Sequence, residues 1–366
     1  MSAAKATIEG FATHLVVLPL AEPIRHPFMG ARTQFATMVL EVRTREGAVG
    51  LGYASVENLR MVQAVESIVH ALEPHLAGED ALRRAFLYER MYGLTVDLLH
   101  DGAVNLALAA IDTALWDLCG RVAGLPLWRL LGGYREAVPA YASWTLWRHM
   151  DVDRLETETA AIVARGFNAM KLRMGGGRPL ADDVERARAV RRVAGPDAVL
   201  MVDALWGLTV EEGLRMADAL AELGYAWLEE PVRENDFAGL AQIRDRRALP
   251  IAAGERISRV EHVPALLPAV DHPILDAHHL GGVTPWLKAA AHLDAANRPI
   301  SSHSHPFVHL PLLAAVRTGA WLEYMPWWDA LFVDPPTPQA GLLPAGERPG
   351  LGLTLDRGAL ARHRPG

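Results

Sequence analysis

Residues 199–255 read VLMVDALWGLTVEEGLRMADALAELGYAWLEEPVRENDFAGLAQIRDRRALPIAAGE. Three short apolar runs stand in this stretch, at 199–202, 227–228 and 250–253, with longer amphipathic segments between them. Each run is followed within two residues by an acid: Asp203, Glu229 and Glu255. The step from Asp203 to Glu229 is 26 residues, and the step from Glu229 to Glu255 is again 26. One strand, one helix and their two connections need about that length, so the stretch reads as successive β/α units.

The same rhythm extends outward. Apolar runs at 138–142, 169–172, 273–275, 299–302 and 320–322 complete a set of eight strand candidates separated by helix candidates. Alternation of this kind predicts a parallel sheet, and eight units closing on themselves make a barrel. An open doubly wound sheet would call for a glycine-rich phosphate loop after an early strand, and neither G-x-G-x-x-G nor G-x-x-x-x-G-K-[ST] occurs there. The runs end in polar or ionisable residues: Lys171 and Arg173, Asp203, Glu229, Glu255, Asp276, His303 and Glu323. A barrel gathers such residues at its C-terminal mouth, where barrel active sites lie.

Upstream the pattern differs. Segments 36–41 and 48–53 flank Arg45-Glu46-Gly47, a hairpin signal, and residues from about 60 to 120 turn helical, with Leu106, Ala109, Ala110, Thr113, Ala114 and Asp117 at three- and four-residue steps. Residues 23–34, PIRHPFMGARTQ, hold two prolines, a glycine and the basic side chains Arg25, His26 and Arg32, and read as a loop. The first third is thus α+β.

The chain has 366 residues and a formal net charge of -7, with no basic block, so nothing points to nucleic acid. A single cysteine, Cys119, excludes an internal disulfide framework. The opening MSAAKATIEGF lacks the apolar core of a signal peptide, and no run of about 18 uncharged apolar residues suggests a membrane span. A cytoplasmic protein is the expectation.

Three carboxylates from adjacent strands repel unless a countercharge joins them. All-oxygen donors select a hard cation, Mg²⁺, Mn²⁺ or Ca²⁺, over zinc.

The segments Ala169-Met-Lys-Leu-Arg173, Met201-Val-Asp203, Trp227-Leu-Glu-Glu-Pro231, Gly254-Glu255, Asp276 with Gly281-Gly-Val-Thr284, Ser301-Ser-His303 and Trp321-Leu-Glu323 resemble, in this order, the mandelate racemase subgroup of the enolase superfamily. Ile111-Asp-Thr-Ala-Leu-Trp-Asp117 and Leu130-Leu-Gly-Gly133 resemble the join between that family's cap domain and its barrel. The resemblance implies a modified TIM barrel of (β/α)7β type with an N-terminal α+β capping domain. The expected division is 1–127 for the cap, 128–335 for the barrel and 336–366 for a C-terminal segment returning to the cap. It also implies one Mg²⁺ held by Asp203, Glu229 and Glu255, with Glu230 behind them. His303 matches the catalytic imidazole and Asp276 its partner carboxylate. Lys171 faces the substrate carboxylate, and Glu323, protonated, donates a hydrogen bond to it. Ser143 can touch substrate or its enediolate. Residues 23–34 match the loop that closes over substrate, where Arg25, His26 and Arg32 read the distal end of the ligand. The partner implied is a small-molecule carboxylate, and the assembly a homo-oligomer, from dimer to octamer.

One departure matters. Arg173 stands where the family's K-x-K motif has its second lysine, and arginine is a poor general base. A two-base racemase becomes less favoured than a mechanism run by the His303–Asp276 pair alone. The expected reaction is dehydration of a sugar acid to a 2-keto-3-deoxy acid, with racemisation, epimerisation or lactone cycloisomerisation as alternatives. Trp206, with Trp144, Trp147, Trp327 and Trp328 near other strand ends, makes an apolar pocket wall that keeps cycloisomerisation in view. A more distant reading takes His303, His305 and His309, an H-x-H-x3-H pattern, as ligands of a zinc hydrolase.

Overall fold

The computed structural model describes residues 5–26, 30–246 and 248–365. Strands β1 (Ile8–His26), β2 (Gly30–Thr44) and β3 (Val49–Val56) form an antiparallel three-stranded sheet. Residues 23–34 are therefore not the expected loop. Where described, they lengthen the arms of the β1–β2 hairpin, paired through Arg25↔Ala31 and His26↔Gly30, with residues 27–29 outside the described set. The register shifts between Pro19 and Ile24. Pro23, which has no N–H to give a ladder, thus sits in the irregular stretch where none is required.

Helices α1 (Leu59–Leu76), α2 (Arg84–Leu94), α3 (Gly102–Ala123) and α4 (Leu127–Leu130) follow. By length and composition α3 is apolar enough to cross a membrane, but 83% of its apolar window is buried in the protein. It is the core helix of the cap, and its alanines let β3 come close. A Cβ added at Gly52 would lie 2.0 Å from the Ala110 carbonyl oxygen.

The barrel alternates β4 (Ala137–Ala142), α5 (Val152–Ala164), β5 (Ala169–Arg173), α6 (Leu180–Ala194), β6 (Val199–Asp203), α7 (Val210–Glu222), β7 (Trp227–Glu229), α8 (Phe237–Arg246), β8 (Ile251–Ala253), α9 (Val263–Leu266), β9 (His272–Leu275), α10 (Val283–Ala295), β10 (Ser301–Ser302), α11 (Pro306–Ala315) and β11 (Leu322–Tyr324). The described strands run in the parallel order β10-β9-β8-β7-β6-β5-β4-β11. The ring closes between β10 and β11, where Ser302 N donates to Trp321 O at 3.0 Å beside the bridge Ile300↔Gly319. Eight strands with seven intervening helices are the modified barrel expected from the sequence. The eighth strand starts two residues later than its apolar run, because ladder bonds rather than hydrophobicity set its ends. Finally β12 (Leu342–Pro344) pairs antiparallel with β4, and α12 (Arg357–Arg362) leads to His363, whose carbonyl accepts from Val17 N of β1 at 2.8 Å.

Two buried aspartates on α3 tie the parts together. Asp112 accepts from Thr284 N and Thr284 Oγ1, both at 2.7 Å, and a Cβ on neighbouring Gly282 would stand 2.5 Å from its Oδ2. Asp117 accepts from Leu51 N of β3 at 2.7 Å, Leu351 N at 2.6 Å and Arg121 Nε at 2.7 Å. Replacing Asp117 with alanine orphans two buried amides, a cost of roughly 3 kcal/mol. The check is the urea midpoint, which is expected to fall without a change in slope.

Candidate active site

Strand parity brings the ionisable residues together. Lys171 and Arg173 lie two apart on β5 and share its inner face. Asp203 and Glu229 are the last residues of β6 and β7 and are direct register partners. Glu255 lies just past β8 rather than on it, since Glu229 pairs with Ala252 and the chain passes Gly254 at φ 120° before reaching the mouth. Asp276 and His303 are the first residues after β9 and β10, whereas Glu323 is the middle residue of β11. The resulting cavity of about 390 Å³ is lined by Lys171, Arg173, Asp203, Glu255, Asp276, His303 and Glu323, and is covered on the cap side by Ile24, Arg32 and Phe35.

Negative charge dominates its floor. Asp203, Glu229 and Glu255 are all buried, each from a neighbouring strand. Burial, with Asp203, Glu323 and Glu255 close by, pushes Glu229 up to about 8 against the pull of Lys171. Glu230 also rises to about 8 through burial and Glu255. Its carboxylate accepts from Gly254 N at 2.9 Å and from Trp206 Nε1 at 3.1 Å, joining the loops after β6 and β8. Asp203, Glu229 and Glu255 form the all-oxygen donor set that a hard cation such as Mg²⁺ takes, but their carboxylates do not close to within 4.8 Å of one another, and Lys171 Nζ stands against Glu229 and Asp203.

The charge present comes from β5. Lys171 Nζ lies 2.5 Å from Glu229 Oε1, 2.8 Å from Glu323 Oε1 and 3.6 Å from Asp203 Oδ2. Burial disfavours its charge, but Glu229 and Glu323 raise the ammonium well above the usual lysine value. Arg173 donates to Ser143 O and to Ser143 Oγ, both at 2.8 Å, and its guanidinium lies 4.1 Å over the Trp147 ring.

The imidazole–carboxylate pair is formed. His303 Nδ1 is 2.6 Å from Asp276 Oδ2, and because an ionised carboxylate only accepts, Nδ1 carries a proton, while Nε2, 3.3 Å from Ser304 Oγ and 3.6 Å from Glu255 Oε2, is the atom that gains or loses one. Burial works against a charged ring, yet Glu255 and Asp276 lift His303 to about 9. Asp276 is held well below the usual carboxylate range: His279 and His303 outweigh its burial.

Several expectations change. The surroundings of Glu323 favour its ionised form over the expected protonated one. Although burial opposes ionisation, Lys171, His303 and Arg173 hold it at about 2, and it accepts from Ser143 Oγ at 2.5 Å and Ser304 N at 2.7 Å. Ser143 does not line the cavity, since its hydroxyl donates to Glu323 and accepts from Arg173. Arg25 also misses the cavity. Ile24 faces inward, so alternation along β1 turns Arg25 to a separate hollow with Arg148 and Arg178. Arg32, the register partner of Ile24, does reach the cavity, as does Trp206, while the side chain of His26 lies outside the described residues. Trp147, Trp327 and Trp328 line the cavity, but Trp144 packs edge-on against Phe167 and Tyr324.

The three-histidine zinc pattern does not converge. His309 Nε2 accepts from Ala277 N at 2.9 Å, and His305 stacks on His278 with ring centres 3.7 Å apart. A different group does come together. One ligand atom from each of Asp276, His279 and His303 lies within 4.8 Å of the others. Both Nδ1 atoms are committed to oxygen acceptors, His303 to Asp276 and His279 to the Glu255 carbonyl at 2.7 Å, so this is a hydrogen-bonded cluster rather than a metal nest. His279 and Arg256, which also line the cavity, went unnoticed in the sequence. The only signal was a doubled histidine just past a strand end.

Comparison with known proteins agrees with this architecture. The profile for the mandelate racemase / muconate lactonizing enzyme N-terminal domain matches residues 12–132, and the enolase C-terminal domain-like profile matches residues 154–359. The 3,6-anhydro-alpha-L-galactonate cycloisomerase of Streptomyces coelicolor is 32% identical over 359 residues, covering 97% of this chain and 99% of the relative. The L-talarate/galactarate dehydratase of Salmonella typhimurium is 31% identical over 360 residues, covering 96% and 90%. A crystal structure of that dehydratase, liganded with Mg and L-lyxarohydroxamate, matches with a TM-score of 0.94 at 29% identity, over 100% of this chain and 95% of that one. The chain belongs to the mandelate racemase/muconate lactonizing enzyme family of enolase-like proteins.

Proposed function

We propose that this protein is a Mg²⁺-dependent dehydratase of a sugar acid, giving a 2-keto-3-deoxy acid. The observation that carries the reading is the hydrogen-bonded imidazole–carboxylate pair His303–Asp276, at a cavity whose β5 side offers the guanidinium of Arg173 where a second base would stand. Similarity to a talarate/galactarate dehydratase supports it.

Mg²⁺ bound by Asp203, Glu229 and Glu255 would supply the charge that offsets the negative charge developing on the substrate carboxylate. Lys171 and Arg173 add fixed positive charge on the β5 side. His303 Nε2 removes the proton alpha to the carboxylate, while Asp276 holds the ring in the Nδ1–H tautomer and favours the imidazolium that results. The same imidazolium then gives that proton to the β-hydroxyl as its C–O bond breaks. Water departs, and the enol left behind tautomerises to the ketone. One ring serving as base and then acid makes the elimination syn.

The test is a panel of aldonic and aldaric acids with Mg²⁺, assayed for 2-keto product. Exchange of the α-proton with solvent deuterium and no keto product would instead indicate racemisation or epimerisation. A second reading, cycloisomerisation of a lactone-like sugar acid, draws on the aromatic wall. Phe35 and Trp327 have ring centres 4.6 Å apart, and Trp147 stacks on Trp327 at 6.4 Å, a surface suited to a ring face. Product mass separates the two, because an isomer keeps the substrate's mass and dehydration loses one water.

A further inference from the structure

We propose that the arginine-lined hollow beside the active-site cavity is a second binding site, which takes a phosphate-class dianion, free or as a phosphomonoester, and fixes the outer arm of β1 against the barrel mouth.

Three segments far apart in the chain build the hollow. Arg25 comes from β1, Arg148 and His149 from the loop after β4, and Gly175-Gly176-Gly177-Arg178 from the loop after β5, around a volume of about 420 Å³. Among the described lining residues three guanidiniums meet one carboxylate, that of Asp182. The acids close by are engaged elsewhere. Asp183 accepts from Gly175 N at 2.9 Å and Arg186 Nη1 at 2.7 Å, and Glu22 pairs with Arg154. Positive charge is therefore in excess here, in a chain whose formal net charge is -7. Burial and Arg25 hold the His149 imidazole below its usual value, in keeping with that excess.

Arg148 carries the argument. It is 7% exposed, and its Nη2 donates to Ala204 O at 2.8 Å. Its Nε and Nη1 are buried and have no hydrogen-bond partner among the described residues. Leaving buried charged donors unmet is costly, and an oxyanion seated against this guanidinium supplies the missing acceptors through charge-assisted bonds. Arg178 ties the two loops together, since its Nη2 donates to Arg148 O at 2.9 Å, and its side chain is still 34% exposed. The three glycines have φ of 77°, 76° and 89°, a backbone that leaves this wall without side chains to fill the hollow. The same wall opens α6, whose N-cap Pro179 offers no side-chain acceptor to the first-turn amides. Guanidiniums arriving from three segments suit a tetrahedral oxyanion better than a planar carboxylate.

The hollow shares its walls with the active site. Ile24 and Trp147 line the catalytic cavity, and their chain neighbours Arg25 and Arg148 line the hollow. A dianion that holds Arg25 to Arg148 thus steadies two walls of that cavity.

The test is calorimetric titration of the Mg²⁺-loaded enzyme with inorganic phosphate, glycerol phosphate and succinate. Wild type is compared with Arg25→Met, Arg178→Met and the control Arg188→Met, an exposed arginine on α6 that does not line the hollow. One saturable phosphate per chain is expected, with a Kd of about 1 mM or tighter. Arg25→Met and Arg178→Met should each weaken it roughly 10-fold or more, and Arg188→Met should not. Phosphate should also slow amide exchange at residues 20–25 in wild type but not in Arg25→Met. Glycerol phosphate bound as well as phosphate assigns the site to esters, and binding of phosphate alone assigns it to the free ion. Absence of saturable binding would overturn the inference, as would equal weakening in all three variants, which marks a diffuse charge effect. Binding kept in both Arg25→Met and Arg178→Met would place the phosphate at Mg²⁺ instead, and succinate bound as tightly as phosphate would overturn the tetrahedral class.

Discussion

Replacing His303 with asparagine is expected to lower kcat by about 10⁴-fold, the upper range for losing a general acid–base. The variant is chosen for its geometry. Asparagine can still donate to Asp276 Oδ2, the partner now 2.6 Å from Nδ1, so the buried carboxylate is not orphaned. What disappears is Nε2, the atom assigned both proton transfers. KM is expected to change little, since the proposed mechanism assigns the substrate carboxylate to the positive charge of the β5 side and not to His303. Stopped turnover together with lost deuterium exchange at the α-carbon would place His303 at the first step. Wild-type exchange in His303→Asn would mean that another group takes the proton, and the dyad mechanism would fail. A thermal melt matching wild type separates lost chemistry from lost folding.

The second large effect concerns charge rather than proton transfer. In the metal-free protein, Lys171→Met is expected to cost roughly 3–5 kcal/mol of stability, as breaking a buried ion pair does. The ammonium is 1% exposed and lies between Glu229 Oε1 and Glu323 Oε1. Without it Glu229 loses its ammonium partner, and Arg173, 3.6 Å from Glu323 Oε1, is left as the countercharge of the barrel floor. The pH dependence has a definite sign. Glu229 already stands at about 8 in the folded chain, above its ordinary 4.5, so the folded state binds the extra proton between those values. Stability from this group is therefore complete below pH 4.5 and is lost as pH rises through 8. Removing Lys171 raises the folded value further and extends that loss to higher pH. Added Mg²⁺ should restore part of the stability and flatten the pH profile, because it binds the ionised folded form. Urea titrations at several pH values, with chelator and with Mg²⁺, measure this directly. A variant as stable as wild type at alkaline pH without metal would show that Lys171 does not neutralise the floor.

Much of the fold was legible because barrel strands are buried on both faces and therefore read as continuous apolar runs. The even 26-residue steps located Asp203, Glu229 and Glu255 before any coordinates. The hairpin arms at 23–34 were misread because proline and glycine usually mark turns. Here Pro23 falls in a register irregularity, which only strand pairing reveals. The tautomer of His303 and the ionisation of Glu323 were likewise out of reach. Each depends on distances between residues far apart in the chain, such as the 2.7 Å from Ser304 N and the 2.8 Å from Lys171 Nζ to the Glu323 carboxylate.

The sequence by itself determined the periodicity, the closed parallel architecture and which residue types stand at the strand ends, because local spacing dictates strand and helix. Only the tertiary structure decided which of those residues share the cavity. It turned Ile24 and Arg32 inward and Arg25 outward, buried Ser143 between Arg173 and Glu323, and set His279 beside His303. The reason is physical. Side-chain direction follows strand parity and loop path, and charge state follows burial and neighbours, and these are fixed only when distant segments pack together.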